Sequence, residues 1–260
     1  MLATMVGHLL AICIGISLGL IGGGGSILAA PVLIYVMSVP AKAAFAMTLA
    51  IVGFVSLIGA IPHWRQGNVN LGIAALFSPA AMLGAYLGAR FAALPFITST
   101  LQLVTFGVMM LIASISMIRK GAGKFKAERD ADPPYHPSIP KRLLIPLEGL
   151  GVGALTGFVG IGGGFLVIPA LVLLGGISMK EAVGTSLIIL ALKSVAGFAG
   201  YVGHVTIDGN LLLSFTIAST LGILVGTYLN QFVTAKQLEK GFGYFVLAVA
   251  IFVLIKQGSW

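Results

Sequence analysis

The chain has 260 residues, of which 58% are hydrophobic and only 8% are charged, and its formal net charge is +8. Soluble domains carry about 25% charged residues, so the composition excludes a soluble globular protein and favours a polytopic membrane protein. The positive charges flank apolar stretches, which is typical of membrane-protein loops and argues against nucleic-acid binding, and the single cysteine excludes a disulfide framework.

The first half contains five apolar segments, which predict five helices. They cover about residues 1–21, 26–37, 43–61, 71–90 and 97–118. The second segment is too short for a comfortable membrane crossing, and it follows a run of glycines. We therefore expect residues 1–37 to form a helix, a glycine break and a short helix that could be re-entrant.

Residues 119–142 interrupt the hydrophobic pattern. Four prolines in this stretch predict an extended linker. Its Lys and Arg residues outnumber its acidic residues, which marks it as cytoplasmic. Residues 1–118 and 143–260 are then the N-terminal and C-terminal transmembrane repeats.

The second half repeats the pattern of the first. Its apolar segments cover about residues 143–159, 165–174, 182–203, 211–230 and 241–255. When the halves are superimposed without a gap, Gly19, Pro31, Lys42, Ser56 and Gly84 fall on Gly157, Pro169, Lys180, Ser194 and Gly222. This superposition, which we call the repeat alignment, indicates an internal duplication with five helical segments in each half. Five crossings would make the repeats inverted, which is the arrangement we expect, whereas four would make them parallel.

Each half carries a glycine cluster that is followed, at the same offset, by a proline. The first glycine cluster is Gly22, Gly23, Gly24 and Gly25, next to Ser26; the second is Gly160, Gly162, Gly163 and Gly164. Glycine breaks at matching positions of two halves point to a transporter binding site near the membrane midplane. Free N–H groups at the following helix starts would favour an anion. The alternative is close helix packing through small residues.

Lys193 lies in the middle of an apolar segment, where an unpaired charge costs about 2.5–3.5 kcal/mol on insertion scales. We expect it to face a cavity, where it would attract an anion or couple to protons. The alternative is a buried pair with Glu148. Thr48, Thr185 and Ser186 add hydroxyls that could bind an oxyanion, although such hydroxyls also bond to their own helix.

His63, Arg65 and His204 follow the third helix of each half and could form a gate or a proton relay. The alternative is that they are interfacial anchors and turn residues. The sequence contains no nucleotide-binding, metal-binding or catalytic motif, so we expect neither an enzyme nor a cofactor.

The paired glycine-to-proline motifs, together with the stretches Ala182–Leu187 and Gly203–Asp208, resemble the TauE/SafE family of membrane proteins. The resemblance covers nearly the whole chain except the linker. It implies a multi-pass protein of the cell (inner or plasma) membrane that exports sulfite, sulfoacetate or a related organosulfur anion, with the glycine clusters close to the substrate. The implied partners are this anion and the lipid bilayer, and a homodimer stays open.

We expect a secondary transporter that works by alternating access around a midplane site between the two repeats. An anion channel, or a transporter of a different small solute or a cation, is the alternative.

Overall fold

The computed structural model describes residues 2–122, 139–160 and 164–258, and within these ranges the chain is helical and contains no strand. The helices are α1 (Leu2–Ile21), α2 (Ala29–Pro31), α3 (Ala41–Arg65), α4 (Leu71–Ala93), α5 (Ser99–Ala122), α6 (Ile139–Val159), α7 (Gly164–Pro169), α8 (Met179–Tyr201), α9 (Gly209–Asn230) and α10 (Ala235–Gly258). Among the described residues, seven helices are long and apolar enough to cross a membrane. The predicted all-α polytopic membrane class is confirmed.

Irregular helical segments follow α1 and α6. In the first half, a 3₁₀-helix (Gly22–Leu28) leads into α2 and then into a π-helix (Val32–Val36); in the second, α7 leads into a π-helix (Ala170–Leu174). Each π-helix begins directly after a proline, which lacks the N–H that a regular helix would use. The break is therefore present after α1 as predicted, but the segment beyond it is not the regular short helix that we expected.

The described helices extend into both ends of the predicted linker. Helix α5 continues to Ala122 and α6 begins at Ile139, so residues 119–122 and 139–142 are helical and not extended. Residues 123–138 lie outside the described residues.

Pairs of glycines bring helices from different halves into backbone contact. Helix α1 packs on α9, where Gly15 and Gly19 lie against Gly222 and Gly226. Helix α4 packs on α6, where Gly84 lies against Gly153 and Gly157 lies against Ala85. Glycines allow such close approach because they have no Cβ. Both pairs run parallel, and the repeat alignment places the contact residues of one pair on those of the other.

Helices α3 and α8 lie at the centre and run antiparallel to each other. Leu49, near the start of α3, contacts Gly197 near the end of α8, whereas Gly59 contacts Leu187. They are the two most buried of the seven long helices found in the described part of the chain. Helices α5 and α10 are also antiparallel, because Gly107 contacts Leu254 and Gly243 contacts Ile118.

These directions define two ends of the helix bundle. We call the end where α3 finishes and where α4, α6 and α8 begin the linker end, because the chain leaves α5 and enters α6 there. At the opposite end, α1, α3 and α9 begin.

Candidate functional site

The two glycine clusters contact each other at the centre of the molecule. A Cβ atom placed on Gly23 would lie only 2.5 Å from the Cα atom of Gly164. Gly25 in turn lies against the backbone of Leu18, so the chain turns back along α1 after the cluster. The closeness of these backbones leaves no room for side chains where the two clusters cross.

A glycine with positive φ makes the sharp turn at the end of each broken helix. Gly22 (φ 65°) lies against Val183 and Ser186 of α8, and Gly160 (φ 72°) lies against Phe45 of α3 and Tyr201 of α8. An L-residue is strained in this region of φ, which explains why glycine is needed there. Gly162 and Gly163 lie outside the described residues.

The N–H groups of the first cluster are not bare, contrary to our expectation. Gly23 N–H donates to Ser186 Oγ at 3.2 Å, and Ser26 Oγ donates to Gly23 O at 2.7 Å. The 3₁₀-helix that begins at Gly22 uses its following N–H groups internally. Helices α2 and α7 are only 3 and 6 residues long. Their dipoles therefore contribute little to anion binding at the breaks, although we expected such a contribution from the sequence.

Buried polar side chains hold the carbonyl groups at the ends of the broken helices. His63 Nε2 donates to Gly19 O at 3.1 Å, and Asn230 Nδ2 donates to Leu20 O at 2.6 Å. In the second half, Gln102 Nε2 donates to Phe158 O at 2.7 Å. His63, predicted as a gate or relay residue, is thus a buried partner of α1.

Lys193 is the only Lys, Arg, Asp or Glu side chain that is buried among the described residues. Its Nζ donates to Thr156 Oγ1 at 3.0 Å, and Thr156 lies in the last turn of α6, where its carbonyl accepts from Gly160 N–H at 3.0 Å. The alternative pairing with Glu148 is absent within the described chain. Lys193 therefore lies close to the second glycine cluster, and no carboxylate of the described residues neutralises it.

Ser186 and Lys193 are seven residues apart on α8, which places them on one face, about 10 Å apart along the helix axis. Ser186 contacts the first glycine cluster, whereas Lys193 reaches the end of the helix that leads into the second. One face of α8 thus carries the polar groups that contact both breaks.

The remaining predicted site residues lie elsewhere. Thr48 is buried in α3, and its hydroxyl has no hydrogen-bond partner among the described residues. Thr185 Oγ1 accepts from Asn70 N–H, so it faces the α3–α4 loop. Arg65 and His204 are exposed at opposite ends of the bundle. A role for any of these four in binding or gating stays a prediction.

Sequence reasoning missed Gln102, Tyr201 and Asn230, which are all buried beside the breaks. One signal for Tyr201 was available, because the repeat alignment places it on His63. Gln102 and Asn230 align with Lys240 and Ala92, so the duplication gave no indication of them.

A family model described as "Sulfite exporter TauE/SafE" matches residues 8–253 of the chain. A "Probable membrane transporter protein" from Xylella fastidiosa (strain Temecula1) is 32% identical over 255 residues, covering 95% of this chain and 92% of the relative. YdhB from Bacillus subtilis, with the same description, is 28% identical over 82% of this chain and 84% of its own. MJ0441 from Methanocaldococcus jannaschii is 26% identical over 95% of each chain. No solved structure matches.

Proposed function

The chain belongs to the TauE/SafE sulfite exporter family of membrane transporters, and on this premise we propose that it is a secondary transporter that exports a small anion. The proposed substrate is sulfite or an organosulfonate such as sulfoacetate. One observation carries the proposal: the glycine clusters of the two halves cross at Gly23 and Gly164, and the only buried Lys, Arg, Asp or Glu side chain in the described chain, Lys193, contacts Thr156 one helical turn before the second cluster.

The charge of the site favours an anion over a cation. A buried ammonium group with no carboxylate partner attracts a negative ligand, because an unpaired charge inside a membrane protein is unfavourable. Three carbonyl groups at the ends of the broken helices, which could otherwise bind a cation, already accept hydrogen bonds from His63, Asn230 and Gln102. Ser186 Oγ now accepts from Gly23 N–H, and a substrate oxygen atom would take over as acceptor.

The proposed mechanism is alternating access between two inverted repeats. The related helices α3 and α8 run antiparallel, as do α5 and α10, and these are the directions that inversion requires. In this mechanism, one half would rock against the other around the crossing of the glycine clusters. The site at the two glycine clusters would then be accessible first from one end of the bundle and then from the other.

We further propose that the linker end is cytoplasmic and that the protein lies in the cell (inner or plasma) membrane. Arg65, Lys180, Lys236 and Lys240 lie at this end, and so do the described ends of α5 and α6, at and between which the sequence holds the seven Lys and Arg residues of 119–142. The opposite end has Lys42, Arg90 and Lys256. Loops rich in Lys and Arg remain on the cytoplasmic side of membranes.

Flux measurements in liposomes test the transport proposal. We expect reconstituted protein to carry labelled sulfite or sulfoacetate, and to leave neutral analogues behind. Lys193→Met should reduce anion flux about tenfold or more, which equals about 1.4 kcal/mol of lost interaction. The exposed Lys240→Met serves as the matched control and should be unaffected. Unchanged anion flux in Lys193→Met would remove this residue from the site.

A channel is distinguished from a transporter by exchange. In a carrier that alternates, unlabelled anion on the far side should accelerate uptake of labelled anion, because the loaded protein returns faster. Uptake that does not respond to substrate on the far side, at rates far above those of a carrier, would favour the anion channel.

A further inference from the structure

We infer that Asn70, Glu181 and Thr185 form a gate that closes the linker end of the path between the two halves. The inference rests on the proposed transport function, to which it adds the residues that control access from one end. None of the three was predicted as a gate residue from the sequence; Thr185 was expected to bind the substrate.

Two hydrogen bonds fasten the α3–α4 loop (residues 66–70) of the first half to the start of α8 in the second half. Asn70 Nδ2 donates to Glu181 Oε1 at 2.9 Å, and Asn70 N–H donates to Thr185 Oγ1 at 2.9 Å. Gly184 lies against the carbonyl group of Asn68, which brings the loop backbone onto the helix. The loop can move away from α8 only if these polar contacts break.

The opposite end has no equivalent contact among the described residues. In the repeat alignment, Asn70 falls on Asp208, while Glu181 and Thr185 fall on Ala43 and Met47, which cannot form these hydrogen bonds. Asp208 caps α9 locally, as Asn70 Oδ1 caps α4. Within the described chain, no hydrogen bond joins the α8–α9 loop (residues 202–208) to α3. His8 Nε2 does bond to Ser214 Oγ at 2.9 Å towards this end, but it joins α1 to α9 and no loop to α3. Polar contact between a loop of one half and the central helix of the other is therefore specific to the linker end of the described chain.

The gate is directly connected to the first glycine cluster. Val183, between Glu181 and Thr185, packs on Gly22, and Ser186, next to Thr185, accepts from Gly23 N–H. When the start of α8 separates from the loop, the helix that contacts the cluster becomes accessible from the linker end. Opening of this gate therefore exposes the cluster from that end.

Two cysteine reporters at aligned positions test the gate. Val183→Cys reports access from the linker end, and Phe45→Cys, which lies against Gly160, reports access from the opposite end. Both are made in a Cys13→Ser background and labelled in nanodiscs with a membrane-impermeant maleimide, so both ends are exposed to reagent. Glu181→Leu should speed labelling of Val183→Cys about tenfold, equal to about 1.4 kcal/mol, while labelling of Phe45→Cys stays constant or slows.

Two further variants serve as controls. One replaces Glu181 conservatively, and the other removes a helix cap at the opposite end. Glu181→Gln keeps an oxygen acceptor for Asn70 and should label as slowly as the parent. Asp208→Ala removes a helix cap at the opposite end, and it should not speed labelling of Val183→Cys. Faster labelling of both reporters in Glu181→Leu would indicate general loosening and overturn the gate, as would unchanged labelling of both.

Anion flux of the same variants separates the two proposals. Labelling needs no substrate, so a protein that carries no anion but labels as expected would overturn the transport proposal and leave the gate. Anion flux together with unchanged labelling would overturn the gate and leave the transport proposal.

Discussion

At the residue scale, the centre of the molecule combines backbone contact with one isolated charge. Gly23 and Gly164 permit direct backbone contact between the two halves, and Lys193 places an ammonium group against Thr156, one helical turn before the second glycine cluster. Hydroxyl, imidazole and amide side chains hold the adjacent backbone groups. In the proposed binding site, few side chains would contact the anion, so single substitutions should have large effects.

Gly23→Ala should destabilise the protein, because the added Cβ would lie 2.5 Å from the Cα atom of Gly164. Overpacking of this kind costs about 1–3 kcal/mol, and neither backbone can move without shifting a whole segment. Thermal unfolding of the purified protein would measure the loss. In Gly151→Ala the added atom meets nothing within 4 Å, so this control should be neutral or stabilised by up to about 1 kcal/mol. Equal stability of the two variants would contradict the prediction.

At the element scale, two helix pairs join the halves, and each pair consists of one helix from the first half and one from the second. Helix α1 packs on α9 and α4 packs on α6, through glycines at aligned positions. In lipid, where apolar burial gives no driving force between helices, such close backbone contact is a main source of stability.

Gly84→Leu and Gly222→Leu should therefore have similar, large effects on stability, because the two positions align and both lie against the backbone of a neighbouring helix. Their loss is measured by thermal unfolding and by the yield of monodisperse protein. Gly241→Leu, where nothing lies within 4 Å, is the control with the same side-chain change. A loss confined to one of the two variants would contradict equivalent packing of the halves.

A side chain of α9 also holds the end of α1 by a hydrogen bond to its backbone. Asn230→Leu would remove the donor to Leu20 O and leave a buried carbonyl without a partner, which costs about 1–3 kcal/mol. The expected result is a lower unfolding temperature together with reduced anion flux. Tyr228→Leu, an exposed position on the same helix, should leave both unchanged. Wild-type stability of Asn230→Leu would show that Leu20 finds another donor.

At the scale of the whole molecule, the directions of the helices determine at which end of the bundle each Lys or Arg residue lies. Arg65, Arg90, Lys180 and Lys236 lie near helix ends along the chain, and their order in the sequence alone does not assign them to one side. In the structure, Arg65, Lys180 and Lys236 belong to the linker end, while Arg90 belongs to the other. The excess of Lys and Arg at one end then predicts the orientation in the membrane.

Gln66→Cys and His204→Cys, two exposed and aligned loop positions, should label from opposite sides of the membrane. In intact cells producing the protein without Cys13, an impermeant maleimide should modify His204→Cys, whereas Gln66→Cys should need permeabilised cells. Opposite accessibility of aligned positions follows from antiparallel α3 and α8. Labelling of both positions from the same side would contradict inverted repeats.

The sequence by itself determined the membrane class, the positions of the long helices and the alignment of the two halves, because hydrophobicity along a membrane-spanning stretch and matching residue types are local properties. It also identified Gly22, Gly160 and Lys193 as unusual residues for an apolar stretch. The linker boundaries were less accurate, since charged residues continue a helix beyond the apolar region, as in α5.

Only the tertiary structure decided which groups contact each other. Neither the use of Gly23 N–H by Ser186, nor the partner of Lys193, nor the contact of Asn70 with Glu181 follows from spacing along the chain. These pairs come from different halves or different helices, and the way in which the helices turn and cross brings them together. The direction of each helix, and hence the end at which each charge lies, also follows only from the tertiary structure. Helix contacts join residues that are far apart in the sequence, and local sequence patterns do not predict such contacts.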